Sequence, residues 1–213
     1  MRQCEKAVRL SPEYFLAHDW LAISLSASGR FDEAIDCIRR AKRLEPLSLV
    51  VHHHEAWVNV MAGRFDAAAR AARQALELDA GYSFGWWWLG IVQTELGHID
   101  DAVRSLERAQ AIFGDFQLGR SALGHAYGRA GRRHDALTCL HALRAADPSC
   151  SDAYHPALVH TALGETDEAI NTLAEAADAN STWLRIYGPY DPRLNALRGH
   201  TRFTDLLQRS AVH

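Results

Sequence analysis

The sequence predicts an all-α solenoid of stacked antiparallel helix pairs. Small residues recur at a fixed 34-residue step, each step divides into two stretches of helical hydrophobic periodicity, and no stretch alternates as a strand does. The chain has 213 residues, 48% of them apolar and 23% charged, which fits a globular protein and not a disordered tail. A net charge of -3 gives no broad basic surface for nucleic acid. No run approaches the roughly 18 apolar residues of a membrane span, and the start Met1-Arg2-Gln3-Cys4-Glu5-Lys6 leads into no export-signal core. The cysteines Cys4, Cys37, Cys139 and Cys150 form no C-x-x-C pair, so a reducing, cytoplasmic setting is expected.

The repeat is carried by several rows. Gly29, Gly63, Gly97 and Gly131 are each 34 residues apart, and Ala34, Ala68, Ala102 and Ala136 keep the same step. So do Leu10, Leu44, Leu78 and Ile112. Pro12 and Pro46 match, Pro148 returns to that register, and Ala80 and Gly114 fill the slots between. A fifth copy follows at Gly164 and Ala169, one residue short, the missing residue falling between Pro148 and Ala157.

The elements follow in order. Residues 1–12 read as half a repeat, a second helix alone, because Ala7, Leu10 and Pro12 align with Ala41, Leu44 and Pro46. This suggests an array that starts midway through a unit, as part of a longer protein or as a half-repeat cap. Residues 13–180 hold about five repeats. In the third, Phe84, Trp86, Leu89, Val92 and Leu96 keep a 3.6-residue period. Gly97 suits a left-handed C-cap, and Asp100 opens the next helix by capping and dipole. Ala102, Val103, Leu106 and Ala109 then form an inner face whose alanines let the two helices approach closely. After Asn180 the period stops, and residues 181–213 read as capping helices. Trp183–Tyr187 is apolar, Gly188-Pro189-Tyr190-Asp191-Pro192 forces a turn, and amphipathic helices follow near Arg193–Arg198 and Thr201–Ser210. Phe203, Leu206 and Leu207 are expected to face the array, since a terminal repeat leaves an apolar face to cover.

Trp86-Trp87-Trp88-Leu89-Gly90, with Gly97, Ala102, Leu106 and Ala109, resembles the tetratricopeptide repeat pattern. Leu21, Ala22, Gly29, Phe31, Ala34, Ala41 and Pro46 match in the first copy, and Leu123, Gly124, Tyr127, Gly131, Ala136, Leu140 and Pro148 in the fourth. The signature tryptophan is replaced by His18, His52 and Arg120 in the other copies, and the second copy has Glu55-Ala56 where Leu-Gly is expected. The resemblance implies a right-handed solenoid that binds a protein or peptide on its concave face. The tail resembles those of bacterial arrays appended to signalling or regulatory proteins, which implies a scaffold or regulatory role in such a protein.

The first helix of each unit lines the inside of the curve. Trp86, Leu89 and Gly90 share one face, so Trp87 and Trp88 point elsewhere. Phe84, Trp87, Trp88 and Ile91 form a second stripe, answered by Val50, His53, His54, Trp57 and Val60 in the second copy. Leu16, Asp19, Trp20 and Ile23 answer it in the first copy, Leu118, Ser121, His125 and Gly128 in the fourth, and Tyr154, Leu158 and Thr161 in the fifth. The expected partner-binding residues are Asp19, Ile23, Val50, His53, Trp57, Phe84, Trp87, Ile91, Ser121 and His125, an aromatic groove for a segment with apolar anchors. The alternative for these side chains is contact between neighbouring repeats, the expectation for Trp20 and Trp88.

Other chemistry is set aside by residue type. The Lys and Asn clamp of chaperone-binding relatives is replaced by Asp19, His53, Trp87, Ser121 and by Ile23, Trp57, Ile91, His125. His52-His53-His54 diverge around a helix and cannot share one metal ion, although His53 and His125 could charge the groove with pH. Cys37 and Cys139 read as core. There is no G-x-S-x-G, Walker loop, G-x-G-x-x-G after a strand, or H-E-x-x-H, so neither an enzyme nor a cofactor is implied. Rival readings are a sensor holding a small apolar ligand among Trp57, Phe84 and Trp87, a homodimer through the open terminal edge, and an RNA-binding helical array, against which near-neutral charge argues.

Overall fold

A computed structural model describes residues 1–114, 116–145 and 152–211; Pro148, Cys150 and part of the stretch expected to carry the one-residue deletion lie outside them. Among the described residues all regular structure is helical. Helix α1 (Arg2–Leu10) is followed by five pairs: α2 (Phe15–Ser26) with α3 (Phe31–Leu44), α4 (Leu49–Met61) with α5 (Phe65–Leu78), α6 (Ser83–Glu95) with α7 (Ile99–Phe113), α8 (Gln117–Arg129) with α9 (Arg133–Arg144), and α10 (Tyr154–Ala162) with α11 (Thr166–Asp178). The cap is α12 (Thr182–Tyr187), a 3-10 helix (Pro192–Leu197) and α13 (Thr201–Ala211).

The 34-residue glycine row makes the turn within each pair. Gly29, Gly63, Gly97, Gly131 and Gly164 all have φ between 69° and 74° or, at Gly97, 81°. This left-handed conformation costs an L-residue energy and glycine none. After each of these glycines the next N–H reaches back five residues, as Arg30 N to Leu25 O and His98 N to Gln93 O do, each closing a Schellman turn. The second helix then starts at once. His98 and its equivalents Arg30, Arg64, Arg132 and Glu165 make no side-chain cap bond. Asp100 therefore sits inside the first turn and acts through the helix dipole, not as the N-cap.

Packing within a pair depends on the small residues. Ala34, Ala68, Ala102, Ala136 and Ala169 are fully buried. A Cβ at Gly90 would lie 2.5 Å from Leu106 Cγ, so the missing side chain is what lets α6 and α7 close. Each second helix packs on the next first helix, and successive first helices touch from α2 through α10, which makes a continuous solenoid.

Two of the three departures from the tryptophan signature are equivalent to it. Trp86 Nε1 donates to Ala80 O at 2.9 Å, six residues back. His18 Nε2 donates to Pro12 O and His52 Nε2 to Pro46 O, both at 2.8 Å and the same spacing. In the first three units a ring N–H at this position ties the first turn to the loop before it. Arg120 binds instead forward, through Nη1 to Ala142 O at 3.1 Å.

In the cap, Phe203 and Leu206 are buried with Leu173, Leu184, Leu194 and Leu197, and Leu207 packs at their edge. Ser181 Oγ accepts from Leu184 N at 3.0 Å and starts α12. The stretch Pro192–Leu197 is 3-10 and not α; Asp191 accepts from Arg193 N at 2.9 Å, a short-range bond that a tight first turn suits. Cys37 and Cys139 are half-buried and not fully inside, though burial still raises both thiol pKa values.

Candidate interaction surface

Helical spacing puts three rows on the inner side of α2, α4, α6 and α8. The outermost is Leu16, Val50, Phe84 and Leu118; the next is Asp19, His53, Trp87 and Ser121; the third is Ile23, Trp57, Ile91 and His125. The structure treats these rows differently. Val50 is 47% exposed and Phe84, His53 and Ile23 are half-buried, while Trp57, Trp87, Ile91 and His125 are at most 6% exposed and Asp19 and Ser121 are fully buried.

Two things cover the inner rows. One is the neighbouring repeat. Trp87 Nε1 donates to Leu118 O at 3.1 Å, and Trp88 Nε1 donates to His53 Nδ1 at 3.0 Å. The other is the chain's own tail. Tyr187 stacks on Trp57 with centroids 5.3 Å apart and planes 30° apart, and Tyr190 meets the edge of Phe31 at 5.1 Å. Tyr190 also fills the space over Gly29, where its hydroxyl lies 2.5 Å from an ideal Cβ position.

A buried ionic cluster anchors that tail. Arg193 Nε and Nη2 donate to Asp191 Oδ1 at 2.9 Å and Oδ2 at 2.6 Å, and the Tyr154 hydroxyl donates to Asp191 as well. Burial pushes the Asp191 carboxyl up, but the Arg193 charge and these hydrogen bonds outweigh it and hold the pKa below its usual range. Burial pushes His125 down to about 3, with Arg193 adding to the shift, and pushes His53 down to about 3 and His155 to about 4. Burial therefore opposes a groove charged by His53 and His125 near neutral pH, because a cation buried there would lose its hydration without gaining a compensating partner.

The three adjacent histidines diverge as the helix requires. His52 binds Pro46, His53 accepts from Trp88, and His54 Nδ1 donates to Asp19 Oδ2 at 2.8 Å. Among the described residues no cluster of His, Cys, Asp and Glu could hold a metal ion.

The outer row opens onto a rim that sequence reasoning missed. Ring contacts run unbroken from repeat to repeat: Trp20 to His54 at 5.9 Å, His54 to His53 at 5.1 Å, His53 to Phe84 at 4.8 Å, Phe84 to Phe113 at 5.5 Å and Phe113 to Phe116 at 4.4 Å. Its ends face solvent, with Trp20 56% and Phe113 51% exposed, Val50 of the outer row is 47% exposed, and His54, His53 and Phe84 between the ends are half-buried. Trp20 therefore touches the next repeat through His54 but stands largely at the surface, whereas its equivalent Trp88 is buried. Leu10, Tyr14, Leu47, Leu78 and Ile112, where each second helix hands over to the next first helix, are exposed too. The opposite edge, at the glycine turns, is charged and laced by pairs such as Arg64 with Asp32 at 2.6 Å and Arg133 with Glu165 at 2.5 Å. A signal for this rim exists in the sequence: Leu10, Leu44, Leu78 and Ile112 form a repeat row, and apolar residues kept in a loop-adjacent row are candidates for exposure.

Paired helices stacked into a solenoid with an aromatic inner face define a repeat scaffold built for contact with other polypeptides. Tetratricopeptide repeat models match residues 55–115 and 121–182, and a further one residues 16–40; the chain belongs to the tetratricopeptide repeat family. No curated protein sequence matches it. Among solved structures, TTC0263, a thermophilic repeat protein of Thermus thermophilus, is similar at 21% identity and TM-score 0.65, covering 85% of this chain and 99% of that one. PilW, described as a widely conserved type IV pilus biogenesis factor, is 20% identical at TM-score 0.62, over 91% of this chain and 87% of its own. YrrB, described as having an unusual peptide-binding site, is 19% identical at TM-score 0.53, over 87% and 97%. These likenesses concern the fold. No helix among the described residues is long and apolar enough to cross a membrane.

Proposed function

We propose that the chain is a protein-interaction module that takes a partner segment along the concave rim of repeats one to four. The observation that carries this is the continuous aromatic strip from Trp20 through half-buried His54, His53 and Phe84 to Phe113, open to water at Trp20 and Phe113. Large rings left open to water at both ends of such a strip are unfavourable unless something covers them, and large rings contribute most to contact energy. Of the partner-binding residues expected from the sequence, Val50, His53 and Phe84 make direct contact in this reading, with Ile23 at its margin. Asp19, Trp57, Trp87, Ile91, Ser121 and His125 support them from beneath. The partner is a protein or peptide with apolar anchors, not nucleic acid, since the net charge is -3 and the strip carries no cluster of Lys or Arg. A scaffold or regulatory role in a larger bacterial protein is in keeping with such a module and is carried by analogy alone.

The test is selection of displayed peptides on the full chain, followed by affinity measurements on Trp20→Ala and Phe84→Ala. Both variants should weaken the selected peptides by about tenfold or more, with melting temperatures close to wild type. Selected peptides that bind both variants at wild-type affinity would rule out the rim.

A further inference from the structure

The inner rows of the concave face hold a polypeptide already. From Thr182 the chain runs back along the solenoid, with Tyr187 over Trp57 of the second repeat and Tyr190 against Gly29 and Phe31 of the first. Pro189, Tyr190 and Pro192 border a hollow whose other wall is Val60, Met61, Gly63 and Phe65. This is the arrangement of a bound peptide, an aromatic pair followed by a carboxylate, except that the peptide is covalently attached.

The occupant divides into an anchor and a tip. Asp191, Arg193, Leu194 and Leu197 are buried and tied to Tyr154 by hydrogen bonds and packing. Tyr187, Pro189 and Tyr190 are only half-buried. The tip also matches its surface imperfectly. Among the described residues, Ser26 Oγ, Trp57 Nε1, Glu95 Oε1 and Asp19 Oδ1 are buried without a hydrogen-bond partner. Trp57 lies under Tyr187, Asp19 is in the inner row of the first repeat, and Ser26 and Glu95 end α2 and α6, Glu95 within electrostatic reach of Asp191 and Arg193. A donor, two acceptors and a hydroxyl left unmet there are what an extended segment, with its alternating N–H and C=O groups, can satisfy.

We propose that these inner rows form a second peptide-binding surface, occupied in cis by residues 182–198, and that an outside polypeptide segment with an aromatic pair enters by displacing the 187–190 tip. This inference does not depend on the rim, and its variants leave Trp20 and Phe84 untouched.

The probe is a fluorescein-labelled synthetic peptide of residues 182–198, titrated by anisotropy against the full chain and against full-length Tyr187→Ala/Tyr190→Ala. The double variant, whose own tip has lost its rings, should bind the peptide at least about tenfold more tightly than wild type, and a scrambled peptide should bind neither. Equal binding to both proteins, or none to a variant that keeps wild-type helicity, overturns the proposal. Amide exchange in the unaltered chain decides the matter should the variant not fold. The bonded amides of Gly188, Tyr190 and Asp191 should open at least about tenfold faster than those of α4 and α6. Exchange of those three amides only through global unfolding shows the tail to be a fixed structural cap and overturns the proposal.

Discussion

Gly90 and His52 show how much of this fold rests on single atoms. At Gly90 an added methyl group would meet Leu106 Cγ at 2.5 Å and Ala102 O at 3.1 Å, and neither the backbone nor the buried leucine can retreat far. Gly90→Ala should destabilise by about 1–3 kcal/mol, read as a lower urea midpoint at unchanged slope. His52 is fully inside and its ring N–H meets Pro46 O. His52→Ala should cost about 1–3 kcal/mol because that carbonyl loses its donor, and nickel or zinc should leave the melting temperature of the wild type unmoved. The histidines also set a pH dependence. His53 and His125 have folded pKa values of about 3 and His155 about 4, all below the unfolded value. Above pH ~6.5 neither state binds these protons, and below it only the unfolded chain does. Stability therefore falls with decreasing pH from ~6.5 toward 4, by about 1.4 kcal/mol per pH unit for each such ring. His125→Asn should flatten the curve of unfolding free energy against pH by one proton between pH 6 and 4; an unchanged slope would contradict the neutral assignment.

Among the helices, the first and second of each pair are built to different rules. The second helices carry alanines and aliphatic residues on one side and charge on the other, as α5 does with Ala68, Ala69, Ala71, Ala72 and Ala75 buried. The first helices are buried on nearly every side, and α6 hides Trp87, Trp88, Leu89, Ile91 and Val92 at once. That is why amphipathic periodicity identifies α3, α5 and α7 cleanly but cannot say which residues of α4 and α6 meet solvent. Leu106 of α7 is fully buried against Gly90, and Leu106→Ala should cost about 2–5 kcal/mol in the same urea measurement.

For the molecule as a whole, the tail acts as a tie. A solenoid's curvature is set by small rotations between neighbouring repeats, and no local contact joins its ends. Tyr190 on Phe31 and Arg193 with Asp191 beside Tyr154 connect the first repeat to the fifth across the hollow. Tyr187→Ala/Tyr190→Ala should therefore raise the radius of gyration in small-angle scattering while circular dichroism stays at the wild-type level. A closed, unchanged envelope would mean that the repeat interfaces alone hold the curvature.

The 34-residue rows and the helix pairs were legible because they depend on contacts near in sequence. Turn glycines, capping bonds and the alanine seams act within one unit and recur in each. The aromatic face was legible as a set of residues but not as a surface. Trp20 and Trp88 hold equivalent positions, yet one is exposed and the other is sealed beside His53. No periodicity distinguishes them, because exposure depends on what a distant part of the chain lays over each position. Residues 182–198 pass over Trp57 and Tyr154 and come to rest against Gly29. Their path is a long-range packing solution, set by steric fit and by the burial of Asp191 with Arg193, and it leaves no repeat in the sequence from which it could be read.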